Sequence, residues 1–241
     1  MRELLPLKIL LIFTIFFLIY PFSSKAINYY IKTNGDNTSG GTFWTNAWET
    51  IGYAASNVST GDVVIISNGI YRENISIISN SNITFISWGW INSQDNTSTI
   101  LYGSGAFAQE IFALKNSRRI VIQGFSLNGQ DLVSPWGITI ENNSSSNLIA
   151  NNKIFSNHDF GIEIRDNSKF NCIKSNKIFD QMGVGQRIGI AIRGNYNLIS
   201  HNNIARNSNS GYSHNGISLS TSASNNIIKF NQIYSNYSGI T

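Results

Sequence analysis

The chain has 241 residues, only 12% of them charged, and a formal net charge of +4. Its single cysteine rules out an intramolecular disulfide. Without the leader residues Arg2, Glu3, Lys8 and Lys25, 14 basic and 12 acidic residues remain, a balance too even to argue for a nucleic-acid partner.

Residues 1–26 read as a signal peptide. Arg2 and Lys8 precede an apolar run from Ile9 to Tyr20, Pro21 breaks it, and Ser24-Lys25-Ala26 offers a small-x-small cleavage site. The run is too short to span a bilayer comfortably, although an uncleaved anchor is the other use of such a segment. The mature chain is expected to have no membrane span, to be secreted or held at the cell surface, and to be a monomer.

Residues 27–61 read as a cap made of a strand and a helix. Asn46, with Glu49 three residues on, has the form of a capping box. Trp48, Ile51, Ala55 and Val58 then share one face of a helix over residues 46–58. Such a helix would close the end of a sheet whose edge is otherwise free to pair.

Residues 62–241 read as a solenoid. The early segments ISIISNSNITFISWGW, TILYGSG, IFALKNS and VIQGFSL keep the alternation of a strand, with longer loops around residues 88–98 and 128–136. From Gly137 the text becomes repetitive. NLIANNKIFSN, NCIKSNKIFDQ, NLISHNNIARN and NIIKFNQIYSN start at Asn147, Asn171, Asn197 and Asn226. Between them run GITIE, GIEIR, GIAIR, GISLS and GIT, whose glycines are 24, 28, 27 and 23 residues apart. Self-similarity at this period marks a solenoid, and isoleucines at alternate positions make its elements strands rather than helices.

Stacking such coils at the inter-strand distance of roughly 4.8 Å turns equivalent residues into columns. Ile149, Ile173, Ile199 and Ile228 form one apolar column; Ile154, Ile178, Ile204 and Ile233 form another. Asn152, Asn176, Asn202 and Asn231 form a column whose amides can bond along the stack. The recurrent glycine is expected to tolerate a positive φ at the corner before its strand. Cys172 is expected to fill the core as a small apolar residue. Thr241 lies two residues into a new coil, so the chain is expected to be a piece of a longer protein. The fold class is all-β: a right-handed parallel β-helix solenoid with a short N-terminal capping helix.

The stretch from Asn28, NYYIKTNGD, then a glycine loop, a short helix, GDVV and GIY-x-E, resembles the opening of secreted β-helix proteins of the pectate-lyase-like superfamily. That resemblance implies action on an acidic polysaccharide, by β-elimination or epimerisation. It also implies that a Lys or Arg removes the proton next to a carboxylate, and that calcium held by acidic residues helps to neutralise the substrate. Outward positions of the Gly-Ile strands supply candidates. Lys115, Glu141, Arg165, Arg193 and Ser220 form one column, with Ala113, Thr139, Glu163, Ala191 and Ser218 beside it. Turns entering these strands add His158, Asp159, Arg187 and His214. The catalytic candidates are Arg193, Arg165 and Lys115, with Arg165 and Arg193 expected to disfavour each other's charge. Glu141, Glu163, Arg187, His214 and Trp136 are candidates for substrate binding, and Asp159, Glu163 and Glu141 for calcium. The same column also has the form of a solvated salt-bridge ladder, as a non-catalytic glycan-binding or spacer protein would carry. The D-D and G-H-G strings of polygalacturonase-like hydrolases are absent, as is the D-P-H-D string of alginate epimerases.

Overall fold

A computed structural model describes residues 25–104, 110–129, 136–182, 187–207 and 215–241. Most of the signal-like segment, and His214, lie outside the described residues. The chain winds into three parallel sheets, each coil giving one strand to each sheet in turn. The first sheet runs from Asn28–Ile31 to Ile227–Lys229, the second from Gly69–Arg72 to Gln232–Tyr234, and the third from Ile75–Ile78 to Ser238–Ile240. This is a parallel β-helix. Among the described residues no helix is long and apolar enough to cross a membrane.

The core is built as the sequence columns require. Ile149 pairs with Ile173, Ile173 with Ile199, and Ile199 with Ile228. In the second sheet Ile154, Ile178, Ile204 and Ile233 stack likewise. Ile149, Ile173, Ile199, Ile154, Ile178 and Ile204 are fully buried, as are Ile138, Ile162, Ile190 and Ile217 of the third sheet. Each such side chain contributes about 1.5–3 kcal/mol by leaving water.

The amides form three ladders where the sequence reading foresaw one. Asn152, Asn176, Asn202 and Asn231 are joined as expected. The first and last Asn of each repeat do the same, through Asn147–Asn171–Asn197–Asn226 and Asn157–Gln181–Asn207–Asn236. Asn176 shows the unit. Its Oδ1 accepts from the backbone N–H of Asn152 at 3.0 Å and from Asn152 Nδ2 at 3.1 Å. Its own Nδ2 donates to the Ile149 carbonyl at 2.9 Å and to Asn202 Oδ1 at 3.0 Å. Gln181 takes the same place one methylene longer, accepting from Asn157 through Oε1 at 3.2 Å.

Each ladder amide follows a residue with a left-handed backbone: Ser146, Phe170, Tyr196 and Asn225 at one corner, and Asn151, Ser175, His201 and Phe230 at the next. The chain therefore turns on one left-handed residue and ties the corner with the amide behind it. The Gly-Ile glycines work differently from the expectation. Gly161 and Gly189 are not among the positive-φ glycines. They are small because space is lacking: a Cβ on Gly161 would lie 2.6 Å from Ile178 Cγ2 and 2.7 Å from the Gly189 carbonyl.

The N-terminal helix is Ile51–Asn57, shorter than expected. Thr50 caps it, its hydroxyl accepting from the Tyr53 N–H at 3.2 Å. Asn46 instead closes a 3-10 turn over Trp44–Asn46, accepting from the Phe43 N–H at 2.8 Å. Ile51, Ala54 and Ala55 join the core cluster that contains Ile75 and Ile77, so the helix covers the end of the solenoid. The stretch expected as a loop from Trp88 holds a second helix, Trp88–Ser93, whose first turn is capped by Ser87. Cys172 also departs from expectation. It pairs in register with Leu148 and Leu198 on the outer side of the first sheet, half-buried, because its neighbour Ile173 takes the inward place. Burial raises its thiol pKa, against the lowering effect of Lys174.

Candidate functional site

Strand alternation decides which side chains reach the outer face of the third sheet. In Glu110–Lys115, Trp136–Glu141, Phe160–Ile164 and Ile188–Ile192, the residues that alternate with the core side chains belong to the outer face, where neighbours on that face cover several of them. Lys115 pairs in register with Glu141, Thr139 with Ala113 and Glu163, Glu163 with Ala191, and Ala191 with Ser218. Both columns read from the sequence are therefore present.

The charges on this face are joined to one another. Lys115 Nζ lies 3.3 Å from Glu141 Oε1. Arg165 bridges three acids: its guanidinium contacts Glu141 closely, donates from Nε to Glu163 Oε2 at 2.9 Å, and lies 3.6 Å from Glu110 Oε1. Arg193 Nη2 meets the other oxygen of Glu163 at 3.0 Å. Glu163 is the keystone, its side chain only 3% exposed, whereas Arg193 at 45% is the most open of the three cations. Arg165 and Arg193 thus do not simply repel. A shared carboxylate stands between them.

The pKa of Arg165 reflects this setting. Burial disfavours its charge, but the hydrogen bond and charge of Glu163, followed by those of Glu141, outweigh burial and raise the pKa above the usual value. Trp136 lies under the guanidinium at 4.8 Å and meets Phe160 edge-on at 5.7 Å. Phe160, Ile188, Ala191 and Trp136 form a small apolar cluster of their own on this outer face. A groove of about 330 Å³ opens beside it, lined by Phe160, Ile188, Ala191, Arg193, Asn215 and Ser218 among others. Its lining mixes these apolar residues with polar ones, Arg193 among them.

Of the expected site residues, Arg193, Arg165, Lys115, Glu141, Glu163 and Trp136 come together. Arg187 is half-buried on the turn before Ile188–Ile192. Asp159 pairs with His158, Oδ2 to Nδ1 at 3.1 Å. Among the described residues no three His, Cys, Asp or Glu side chains gather as a metal site, and Glu141 and Glu163 are turned to Arg and Lys partners. The donor set does not fit calcium at those two acids. Glu110 was missed by sequence reasoning, since it lies opposite Trp136 in an irregular coil where no repeat reveals its register.

The arrangement, three linked parallel sheets with a charged outer strip, defines a protein of the parallel β-helix class. No protein-family model matches the sequence, and neither does any curated protein. Among solved structures it is similar to ORF18 of Geobacillus virus E2, with a TM-score of 0.61 and 16% identity over 95% of this chain and 44% of that one. It is also similar to the pectate lyase Pel9A, with a TM-score of 0.55, 12% identity, and coverage of 88% and 64%. Pectin methylesterase PemA from Erwinia chrysanthemi follows, with a TM-score of 0.54, 11% identity, and coverage of 81% and 71%. The chain thus spans less than two thirds of the viral protein and of the lyase. At these identities the likeness is one of fold.

Proposed function

We propose that the outer face of the third sheet binds an acidic polysaccharide and acts on it by β-elimination or epimerisation, outside the cell. The carrying observation is the buried Glu163 joined to Arg165 and to Arg193, which lines a groove on this face. A carboxylate buried on the outside of a solenoid costs several kcal/mol to desolvate unless paired, and Glu163 has two guanidinium partners. Here it fixes two guanidinium groups in position, which suits recognition of carboxylates along a sugar chain.

The chemistry asked of the face is removal of the proton beside a substrate carboxylate. The electron pair left behind either expels the glycosidic oxygen one carbon further, giving an unsaturated sugar, or takes a proton back from the other side. Both routes build negative charge on the carboxylate, and fixed cations lower that barrier. Arg193, the open residue lining the groove, is assigned the proton transfer: its neutral guanidine takes the proton beside the substrate carboxylate and becomes the guanidinium paired with Glu163. Arg165 keeps its charge and is assigned the substrate carboxylate, with Lys115 holding the next unit. Phe160 and Trp136 offer apolar surface to the sugar ring. No step is assigned to calcium.

Ultraviolet absorbance from unsaturated products, screened over pectate, alginate and glycosaminoglycans with and without chelator, tests the elimination route. Proton exchange from solvent into the polymer tests epimerisation. The non-catalytic reading, a glycan-binding or spacer protein, is favoured by one observation: each of Glu110, Glu141 and Glu163 is matched by a cation, as in a structural ladder. Binding of an acidic polymer with neither product nor exchange would establish that reading instead.

A further inference from the structure

A second surface runs along the corner between the third and first sheets, away from the charged face. Successive coils align there through the bridges Ser81 to Arg118, Arg118 to Ser145, Ser145 to Lys169 and Lys169 to Asn195. The residue after each of these turns left-handed: Asn82, Arg119, Ser146, Phe170 and Tyr196. Asn tolerates that conformation readily, whereas a bulky aromatic side chain does not. Phe170 and Tyr196 nevertheless occupy it with 54% and 51% of their surface exposed, stacked at 5.4 Å between ring centroids. They sit in a strained backbone without the return of burial, and strain of this kind points to a function.

Two further features share the corner. Lys169 Nζ lies 5.7 Å from the Phe170 ring, and Arg118, Arg119 and Lys169 make no ion pair among the described residues, unlike the cations of the third sheet. On the coils before them lies a groove of about 340 Å³, lined by hydroxyl and amide side chains including Ser79, Asn80, Asn116 and Ser117, with Arg118 at its wall. Hydroxyls and amides suit sugar hydroxyls, flat rings suit the C–H faces of sugars, and unpaired cations suit acid groups.

We propose that this corner is a second binding site for an acidic glycan, a strip separate from the reacting face that holds the polymer while the third sheet works on it. The class of ligand rests on the polysaccharide reading above; the existence of the site does not. Phe170→Asn with Tyr196→Asn is the decisive variant, because Asn is the cheap residue at this corner. It should leave the melting temperature unchanged or raised, while affinity for pectate or alginate in affinity electrophoresis falls about tenfold. Arg118→Ser with Lys169→Ser should weaken binding to the same polymers and flatten its salt dependence. Dextran, which is neutral, should not retard the parent.

Turnover of a short acidic oligosaccharide should be the same in parent and Asn variant, so failure of the corner and failure of the third-sheet site are read separately. Parental affinity for acidic polymers in the Asn variant would overturn the proposal. So would a parent that binds no acidic polymer, one that binds dextran equally, or one that prefers single-stranded DNA.

Discussion

Two kinds of polar column run along this solenoid, and they obey opposite rules. The amide ladder of Asn152, Asn176, Asn202 and Asn231 lies between sheets and repeats one chemistry through the four repeat coils. The charged column of the third sheet mixes signs, running Lys115, Glu141, Arg165 and Arg193, and ends at Ser220. A neutral amide presents both a donor and an acceptor, so identical units stack without limit. A charge repels its own copy, so like charges in consecutive coils need a shared counter-ion, as Glu163 gives Arg165 and Arg193, and such a column cannot specify a period. The ladder is therefore a property of the repeat, and the charged strip belongs to a particular place on the solenoid.

The comparison is broken most severely from inside. Ile199→Asp puts a charge between Ile173 and Ile228 in the apolar column beside the ladder. A loss of about 4 kcal/mol or more is expected, read as failure to give a cooperative melt. Asn202→Ala is the next largest. It strips the acceptor from the Asn176 N–H and the donor from the Ile173 carbonyl, both in the core. Denaturant titration should show a loss of about 2–3 kcal/mol.

Substitutions in the charged strip should act more weakly on stability. Arg165→Ala leaves Glu141 with Lys115 and Glu163 with Arg193, while Glu110 loses its ion pair with Arg165. About 2 kcal/mol is expected in the same titration, with a marked loss of affinity for acidic polymer. Arg193→Ala should sit at the small end, below about 1 kcal/mol, because a half-exposed ion pair contributes little. If Arg193→Ala destabilised as much as Asn202→Ala, the two columns would be alike and the distinction would fail.

The sequence showed most of the fold because the repeat writes the register directly. Once GITIE lies over GIEIR, the pairing of Ile138 with Ile162 and of Thr139 with Glu163 follows. Two of the three ladders went unread because the first and last Asn of each repeat look like ordinary corner residues until the coils close. The glycine was read as a φ effect when the cause is contact across the coil with Ile178, a distance that no linear pattern displays. Helix Ile51–Asn57 began later than expected because Thr50 rather than Asn46 supplies the cap, and both are good capping residues.

The charged strip was legible as a column but not as a network. Sequence places Arg165 one coil from Arg193, yet it does not reveal that Glu163 lies between them with its carboxylate shared. Repulsion was the natural expectation, and the structure replaces it with a bridge. Glu110 stayed hidden for a related reason, since it enters the network from a coil that lacks the repeat.

The most direct measurement is made on Arg193→Ala, with melting temperature and reaction on the most responsive acidic polysaccharide followed on the same sample. The melt should match the parent within a few degrees, while unsaturated product, or proton exchange for an epimerase, should disappear. Activity that survives the substitution with the fold intact would place the chemistry on another face and contradict the assignment of the third sheet.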